Sequence, residues 1–451
     1  MQIRSLLATV VAGAFSASIA HAAPTLVAQG ALTASSAGAL ADLSGLTGKL
    51  ENGMAANILG GTGSGIAYAG NGMFVTVPDR GPNATVYNAK IDNTVTWIPR
   101  FHTIRMALAP AAAGSALPFT LTPTLTATTL LWNPTALVYG AGADVGAPAG
   151  TPAQNAAAKF FFTGRSDAFD RAKTAAHPEN GRLDPEAIQL SNDGRSVFLS
   201  DEYGPYVYQF DRATGARIKA FKLPGNLDSP VLSPLGDTEI GENTTGRTAN
   251  KGMEGLAITP DGRTLVGIMQ AALIQDAAAA PTKKLVRIVT IDVASGATKE
   301  FGYMLTDGSG ISEIIAINDH EFLLDERDGA GLGDNSAAKV KKMFRIDIAN
   351  AADITNVYGQ AAVDAAVKKT LFLDLVTLLG ANGTAAEKVP AKIEGMAFGP
   401  DVTIGGATQH TLFIANDNDF LQDAAGPNLF YVIAFTDADL PGLVRQTVAA
   451  Q

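Results

Sequence analysis

Glutamate recurs at the start of short apolar runs. Glu186 precedes "AIQL", Glu254 precedes "GLAI", Glu313 precedes "IIAI" and Glu394 precedes "GMAF". A turn of Asn, Asp or Gly follows each run, and a second apolar run then ends in polar residues: Asp201-Glu202, Gln270, Glu326-Arg327 and Asn416-Asp417. An earlier copy spans Ser64 to Asn83, has Ser64 in place of the glutamate and ends in Asp79-Arg80. A lone charge at the mouth of a buried strand is costly, so these groups are expected to belong together. So many carboxylates cannot crowd ionised; protons stay on, or cations sit among them. Hard oxygen donors with no cysteine and few histidines favour Ca2+, with Mg2+ as the alternative. The candidate metal ligands are Asp79, Glu186, Asp201, Glu254, Glu313, Glu326, Glu394, Asp417 and Asp419. Arg80 beside Asp79 suits an oxyanion. It equally suits an Asp-stabilised turn in "DRGPN". Among the histidines only His102 stands out, alternating with Arg100 in "IPRFHTIR".

The elements that position these residues follow from the repeat itself. Two further strand-like runs often complete a unit, as in "YVYQFDRATG" with "ARIKAFKLP" and "KLVRIVTIDVASG" with "TKEFGYML". Four antiparallel strands per unit is the grammar of a β-propeller blade. Units start near Ser64, Glu186, Glu254, Glu313 and Glu394. The first is stretched by Ala/Gly/Pro-rich insertions that read as surface loops or hide a further degenerate blade. An all-β single propeller of five or six four-stranded blades is therefore expected, with a two-sheet sandwich as the alternative. The chain's last run, "NLFYVIAFTDADLPG", supplies only part of a blade, and the N-terminal "TLVAQGALTA" is expected to complete it and close the ring. In a hairpin the start of the first strand and the end of the second share one edge. The innermost strands ring a central channel, so these edges converge at one mouth. Polar residues at such strand ends also tie neighbouring blades, and that structural role stands beside the functional one.

Composition narrows the classes. Residues 1–22 carry Arg4, an apolar stretch and the small-x-small "AHA" at Ala20 to Ala22, which reads as a secretory signal peptide cleaved after Ala22. The remaining 23–451 reads as one propeller domain. No later run reaches the roughly 18 apolar residues of a membrane helix, so a periplasmic or secreted location is expected, without membrane insertion. The net charge is −10, and loss of Arg4 makes it more negative. Acidity without a basic block argues against nucleic acid. The absence of cysteine excludes disulfides and thiolate chemistry. A monomer is expected.

Five segments together carry a resemblance: "GIAYAGNGMFVTVPDRGPN", "DPEAIQLSNDGRSVFLSDEYGPYVYQFD", "NKGMEGLAITPDGRTLVGIMQ", "ISEIIAINDHEFLLDERD" and "KIEGMAFGPD" with "LFIANDND". In this order, from about Gly60 to Phe435, the chain resembles the bacterial exported phytase-like family, also called esterase-like activity of phytase. The resemblance implies a phosphoric ester hydrolase acting on a small phosphorylated substrate by metal-assisted hydrolysis. Ring carboxylates would hold Ca2+, Arg80 and Arg327 would clamp phosphate, and Glu202 or Glu254 would act as general base. No G-x-S-x-G elbow is present, which disfavours a serine esterase. Two alternatives remain: a non-catalytic binding propeller with structural calcium, and a lactonase-type calcium-dependent hydrolase. The serine at 64 and the neutral Gln270 interrupt the acidic ring and lean toward the binder.

Overall fold

The computed structural model describes residues 23–83 and 86–451. The expected signal peptide, residues 1–22, lies outside the described residues. Five antiparallel sheets stand around one axis. Blade one holds Gly65–Gly70, Met73–Val77, Arg100–Pro110 and Phe119–Leu130. Blade two holds Ile188–Leu190, Ser196–Ser200, Tyr206–Asp211 and Arg217–Lys222. Blade three holds Met253–Ile258, Thr264–Met269, Leu285–Asp292 and Thr298–Met304. Blade four holds Gly310–Ala316, Glu321–Arg327, Lys341–Asp347 and Lys369–Asp374. Blade five holds Ile393–Phe398, Ala407–Asn416 and Asn428–Phe435, and Thr25–Leu32 pairs antiparallel with the last of these. The first strand of the described chain thus joins the last blade, as expected.

Local sequence explains the hairpins. In "DRATG" the Asp211 side chain accepts from the Thr214 amide at 2.8 Å, and Gly215 takes φ 76°. In "DVASG" Asp292 accepts from the Ser295 amide at 2.7 Å, and Gly296 takes φ 76°. Both turns need a short acceptor followed by a left-handed residue. The inner strands are buried on both faces because each blade packs on two neighbours; all six residues of Met253–Ile258 are buried. The core is accordingly a set of seams between blades. Phe74 of blade one meets Phe413 of blade five with ring centroids 4.6 Å apart. Met253, Ile288 and Ile311 belong to a seam shared by blades two, three and four.

The Ala/Gly/Pro-rich stretch between blades one and two forms no sixth blade. It contains a two-residue strand pair, Trp132–Asn133 with Phe160–Phe161, and one 3-10 turn, Ala143–Val145, and is otherwise irregular. Its sequence lacks the alternating apolar runs that a sheet with two packed faces requires. It still contributes Phe162 and Leu183 to the seam of blades one and two.

The inner strands crowd the axis closely. A Cβ on Gly255, directly after Glu254, would lie 2.7 Å from the Ile314 backbone nitrogen and 2.9 Å from the Glu313 carbonyl carbon. Neither can move without shifting blade four. Gly255→Ala is therefore expected to lower unfolding stability by about 1–3 kcal/mol. Gly241→Ala, in open space on the helix Gly236–Glu242, should be neutral or slightly stabilising. Denaturant midpoints of the two variants against the parent check this; an unchanged midpoint for Gly255→Ala would contradict the close approach.

Candidate functional site

The inner strand and its partner run antiparallel, so strand starts and strand ends meet at one edge: Met253 opposes Met269, Glu313 opposes Asp325 and Ile393 opposes Asn416. In blades three and five the register shifts at the glutamate, between Met253 and Gly255 and between Ile393 and Met396; in blade four it shifts one residue earlier, at Ser312, and Glu313 stays paired with Asp325. Such bulges re-aim a side chain. Here they mark the residues that leave the sheet at the channel.

The mouth gathers two sets of three carboxylates. Asp79, Asp417 and Asp419 offer oxygens within 4.8 Å of one another, and so do Asp184, Glu186 and Glu202. Lys392 flanks the first set, donating to Asp419 at 2.6 Å and Asp417 at 3.1 Å. Arg80 flanks the second; its Nη1 lies 2.5 Å from Asp184 Oδ2 and its amide donates to Asp184 Oδ1 at 2.9 Å. Between the sets, Arg327 Nη2 bridges Glu394 at 2.6 Å and Glu254 at 3.5 Å. Gln270 donates to Glu254 Oε1 at 2.8 Å, and Glu202 Oε1 accepts from the Gly252 amide at 2.9 Å.

Eight buried or half-buried carboxylates (Asp79, Asp184, Glu186, Glu202, Glu254, Glu394, Asp417, Asp419) thus face three cationic side chains. The imbalance appears as raised pKa values. Burial and then Asp417 push Asp79 well up; burial and then Asp184 do so for Glu186; burial and then Glu202 do so for Glu254. Burial raises Glu202 to about 6 and Glu394 to about 7. Burial also works against Asp419, but Lys392 outweighs it and holds that carboxyl below its usual range. Buried oxygen-only donors in two compact sets fit a hard divalent cation.

The structure brings Asp79, Arg80, Glu186, Glu202, Glu254, Arg327, Glu394, Asp417 and Asp419 to this mouth and separates three other candidates from it. Glu326 faces away: its Oε1 accepts the Thr306, Asp307 and Gly308 amides, its Oε2 takes the Tyr303 hydroxyl and Lys369, and these bonds outweigh burial and hold it at about 2. Successive side chains alternate across a strand, so Asp325 and Arg327 face the ring and Glu326 does not. Glu313 sits deeper, fully buried, with Oε1 accepting the Leu256 and Ile314 amides at 3.1 and 2.9 Å. Asp201 shapes its own loop, taking the Asp184 and Tyr203 amides at 3.1 and 3.0 Å. His102 lies buried within blade one against Thr128, and burial lowers it to about 4. Asp79 fulfils the turn role as well, accepting from the Gly81 amide at 2.8 Å.

Two members were missed in the sequence, Asp184 and Lys392. Each stands two residues before a ring glutamate, in "DPE" and "KIE"; the period of two was the available signal. Beside the mouth opens a cleft of about 560 Å3, lined by Arg80, Asp92, Leu235, Gly236 and Asn250 among others. A second cavity of about 320 Å3 lies at the far end of the channel, where Ile66, Ile258, Ile315, Met396 and Phe398 meet the C-terminal Gln446. It has no carboxylate in its lining and stands apart from the mouth.

Comparison with known proteins gives a family match over most of the chain. The family described as "Phytase-like: Esterase-like activity of phytase" matches residues 57–420. An "Uncharacterized secreted protein" of Arthroderma benhamiae is 33% identical over 181 residues, 34% of this chain and 34% of that protein. The match therefore spans about a third of that relative. Among solved structures, a luciferin-regenerating enzyme is 10% identical over 84% of this chain and 94% of its own, with TM-score 0.33. Hydrazine synthase from Kuenenia stuttgartiensis is 14% identical over 54% and 67%, with TM-score 0.25. No helix among the described residues is long and apolar enough to cross a membrane.

The raised carboxyls set a pH dependence. In the metal-free protein Glu202 and Glu394 hold protons that the unfolded chain releases near its ordinary carboxyl pKa. Their contribution is complete below about pH 4 and is lost as pH rises through about 6 and 7. Each extra proton held by the folded state is worth about 1.4 kcal/mol per pH unit. Stability of metal-free protein should therefore fall between about pH 5 and 7, and Glu394→Gln should shallow the slope by up to one proton's worth. Denaturant midpoints across that range measure it; a flat or rising wild-type profile would refute the assignment.

Proposed function

The chain belongs to the phytase-like family, and on that premise we propose that it is an exported, metal-dependent phosphoric ester hydrolase whose reacting centre is the carboxylate mouth. The observation that carries this reading is the pair of compact carboxylate sets at one end of the channel, left without equal countercharge. The substrate would be a small phosphorylated molecule, and Ca2+ is the cation the donors suit, with Mg2+ second. An export route fits the family relative whose name calls it secreted.

Asp79, Asp417 and Asp419 would hold one cation and Asp184, Glu186 and Glu202 another. When bound, such ions neutralise phosphate oxygens and lower the pKa of a water. The chain's own residues do the rest. Arg80, with its side chain 14% exposed and fixed by Asp184, presents a planar donor fork to a phosphate at the opening of the cleft. Arg327 is committed to Glu254 and Glu394, so its part is to position those two carboxyls rather than to clamp substrate. With Glu202 in a cation set, Glu254 is the group suited to move a proton. Its Oε1 is fixed by Gln270, and burial and then the Glu202 and Glu394 carboxyls make its proton affinity high, the latter until cations bind.

Phosphate release from a panel of phosphomonoesters and phosphodiesters, measured after chelation and again with Ca2+ restored, tests the reading. Turnover should appear only with the cation. Glu254→Gln should lower kcat by roughly 100- to 10,000-fold while leaving Ca2+ binding in place, and Asp417→Asn should raise the Ca2+ concentration needed. A folded, calcium-replete protein that releases no phosphate across the panel sinks the phosphoesterase; lactone hydrolysis by the same sample would then point to the lactonase alternative.

A further inference from the structure

Beside the mouth, Arg80, Arg182, Tyr203 and Arg247 line a small chamber of about 30 Å3. It shares Arg80, Asp92, Gly236, Ala249 and Asn250 with the 560 Å3 cleft. Arg182 and Arg247 are each 3% exposed. Glu239 holds both, at 3.4 Å from Arg182 Nη2 and 2.6 Å from Arg247 Nη2. Arg182 is also fixed between the rings of Phe169 and Tyr203, 4.8 Å from each centroid. Arg247 Nε and Nη2 donate to the Tyr203 carbonyl at 3.1 and 2.8 Å.

Two donors are left over. Arg247 Nη1 and Arg80 Nε are buried and have no partner among the described residues. A buried guanidinium N–H without an acceptor is costly, and more so for a charged group than for a neutral one. Both side chains are held by their other bonds, Arg80 by Asp184 and Arg247 by Glu239 and the Tyr203 carbonyl. Asp92 takes the Gly236 amide at 3.1 Å and Glu239 the Ser233 amide at 3.1 Å, so the acids at the chamber are engaged. Asp184 is engaged by Arg80 itself. Rigid, forked donors facing a polar chamber that opens on a cleft are what an oxyanion requires.

We propose that this chamber is an oxyanion subsite that takes a phosphate group through Arg80 Nε and Arg247 Nη1, adjoining the carboxylate mouth and joined to it through Arg80, which also binds Asp184. Its part in choosing substrate rests on the hydrolase reading above; the binding of the anion does not. The molecule that lies in the cleft would place one phosphate there, while the carboxylate sets stand at the adjoining channel.

The test is calorimetric titration of inorganic phosphate, and in parallel glycerol 2-phosphate, into the chelated, metal-free protein, where no turnover confuses the readout. One site per chain is expected, weakened roughly 10- to 100-fold in Arg247→Gln, the loss of one charged hydrogen bond. Ca2+ binding should be unchanged in that variant. Tighter binding of the ester than of phosphate assigns the site to substrate, and the reverse assigns it to product. Asn250 is exposed at the rim, so Asn250→Asp tests the same site without disturbing the fold, and its added charge should weaken phosphate by a similar factor. Absence of phosphate binding by folded wild type, or affinity in Asn250→Asp and Arg247→Gln equal to that of wild type, overturns the proposal. Because metal and turnover are both absent, these outcomes are independent of whether the mouth hydrolyses anything.

Discussion

Five strands that start at one axis have too little room there for both their side chains and the water that would solvate them, and the rest of the molecule answers to that crowding. Where the chain needs a buried charge only for structure, it compensates the charge closely. Arg287, fully buried, is held by Asp276 at 2.7 Å and Glu300 at 2.9 Å. Glu239 is held by two arginines. At the mouth the compensation stops short: Arg80, Arg327 and Lys392 leave most of the ring's carboxylates sharing or lacking a partner. Burying an uncompensated charge is strongly unfavourable, so the deficit is a property to be met by protons or cations, not an incidental surplus. Lys392 shows how local the balance is, since it suffices to hold Asp419 down while Asp79 and Asp417 beside it stay up.

The same crowding explains how the ring is held without cysteine. The blades cannot bury both faces alone, and closure depends on the strand Thr25–Leu32 completing blade five. The C-terminal segment makes a second tie across the far end of the channel. The Val444 amide donates to the Ile317 carbonyl of blade four at 2.8 Å, Arg445 reaches Gly399 and Asp401 of blade five, and Gln446 and Ala449 bond Leu190 and Asn192 of blade two. The two chain ends thus stabilise opposite aspects of one ring. Because the carboxylate sets draw on blades one, two and five together, a loosened ring would disperse the site before it unfolded any blade.

Much of this was legible in the sequence because the repeat carries both levels of information at once. A glutamate, an apolar run, a turn and a polar end give the hairpin, and the hairpin gives the shared edge. The blade count was not fully legible, since a long Ala/Gly/Pro stretch has the length of a blade without its pattern. The errors among the paired polar residues have one cause. Polar residues at a strand end were grouped by proximity in sequence, whereas the strand sorts them by parity: Glu326 turns to the Lys369 side while Asp325, unremarked, turns inward. The same parity would have found Asp184 and Lys392. The bulges at Glu254 and Glu394 and the orphan donor on Arg247 have no sequence signature; they arise only when blades meet.

Glu313 ties these points together. It has the ring's sequence signature yet lies below the ring, its Oε1 gripping the inner strands of blades three and four. Gln189 of blade two donates to the Leu256 carbonyl at 2.7 Å close by. With Glu313 fully buried, the axis is filled at that level by a carboxyl whose proton affinity burial pushes well up. A neutral carboxyl hydrogen-bonded to backbone can sit where an ionised one would be expelled. The acidic mouth and the far cavity, which has no carboxylate in its lining, lie to either side of this level.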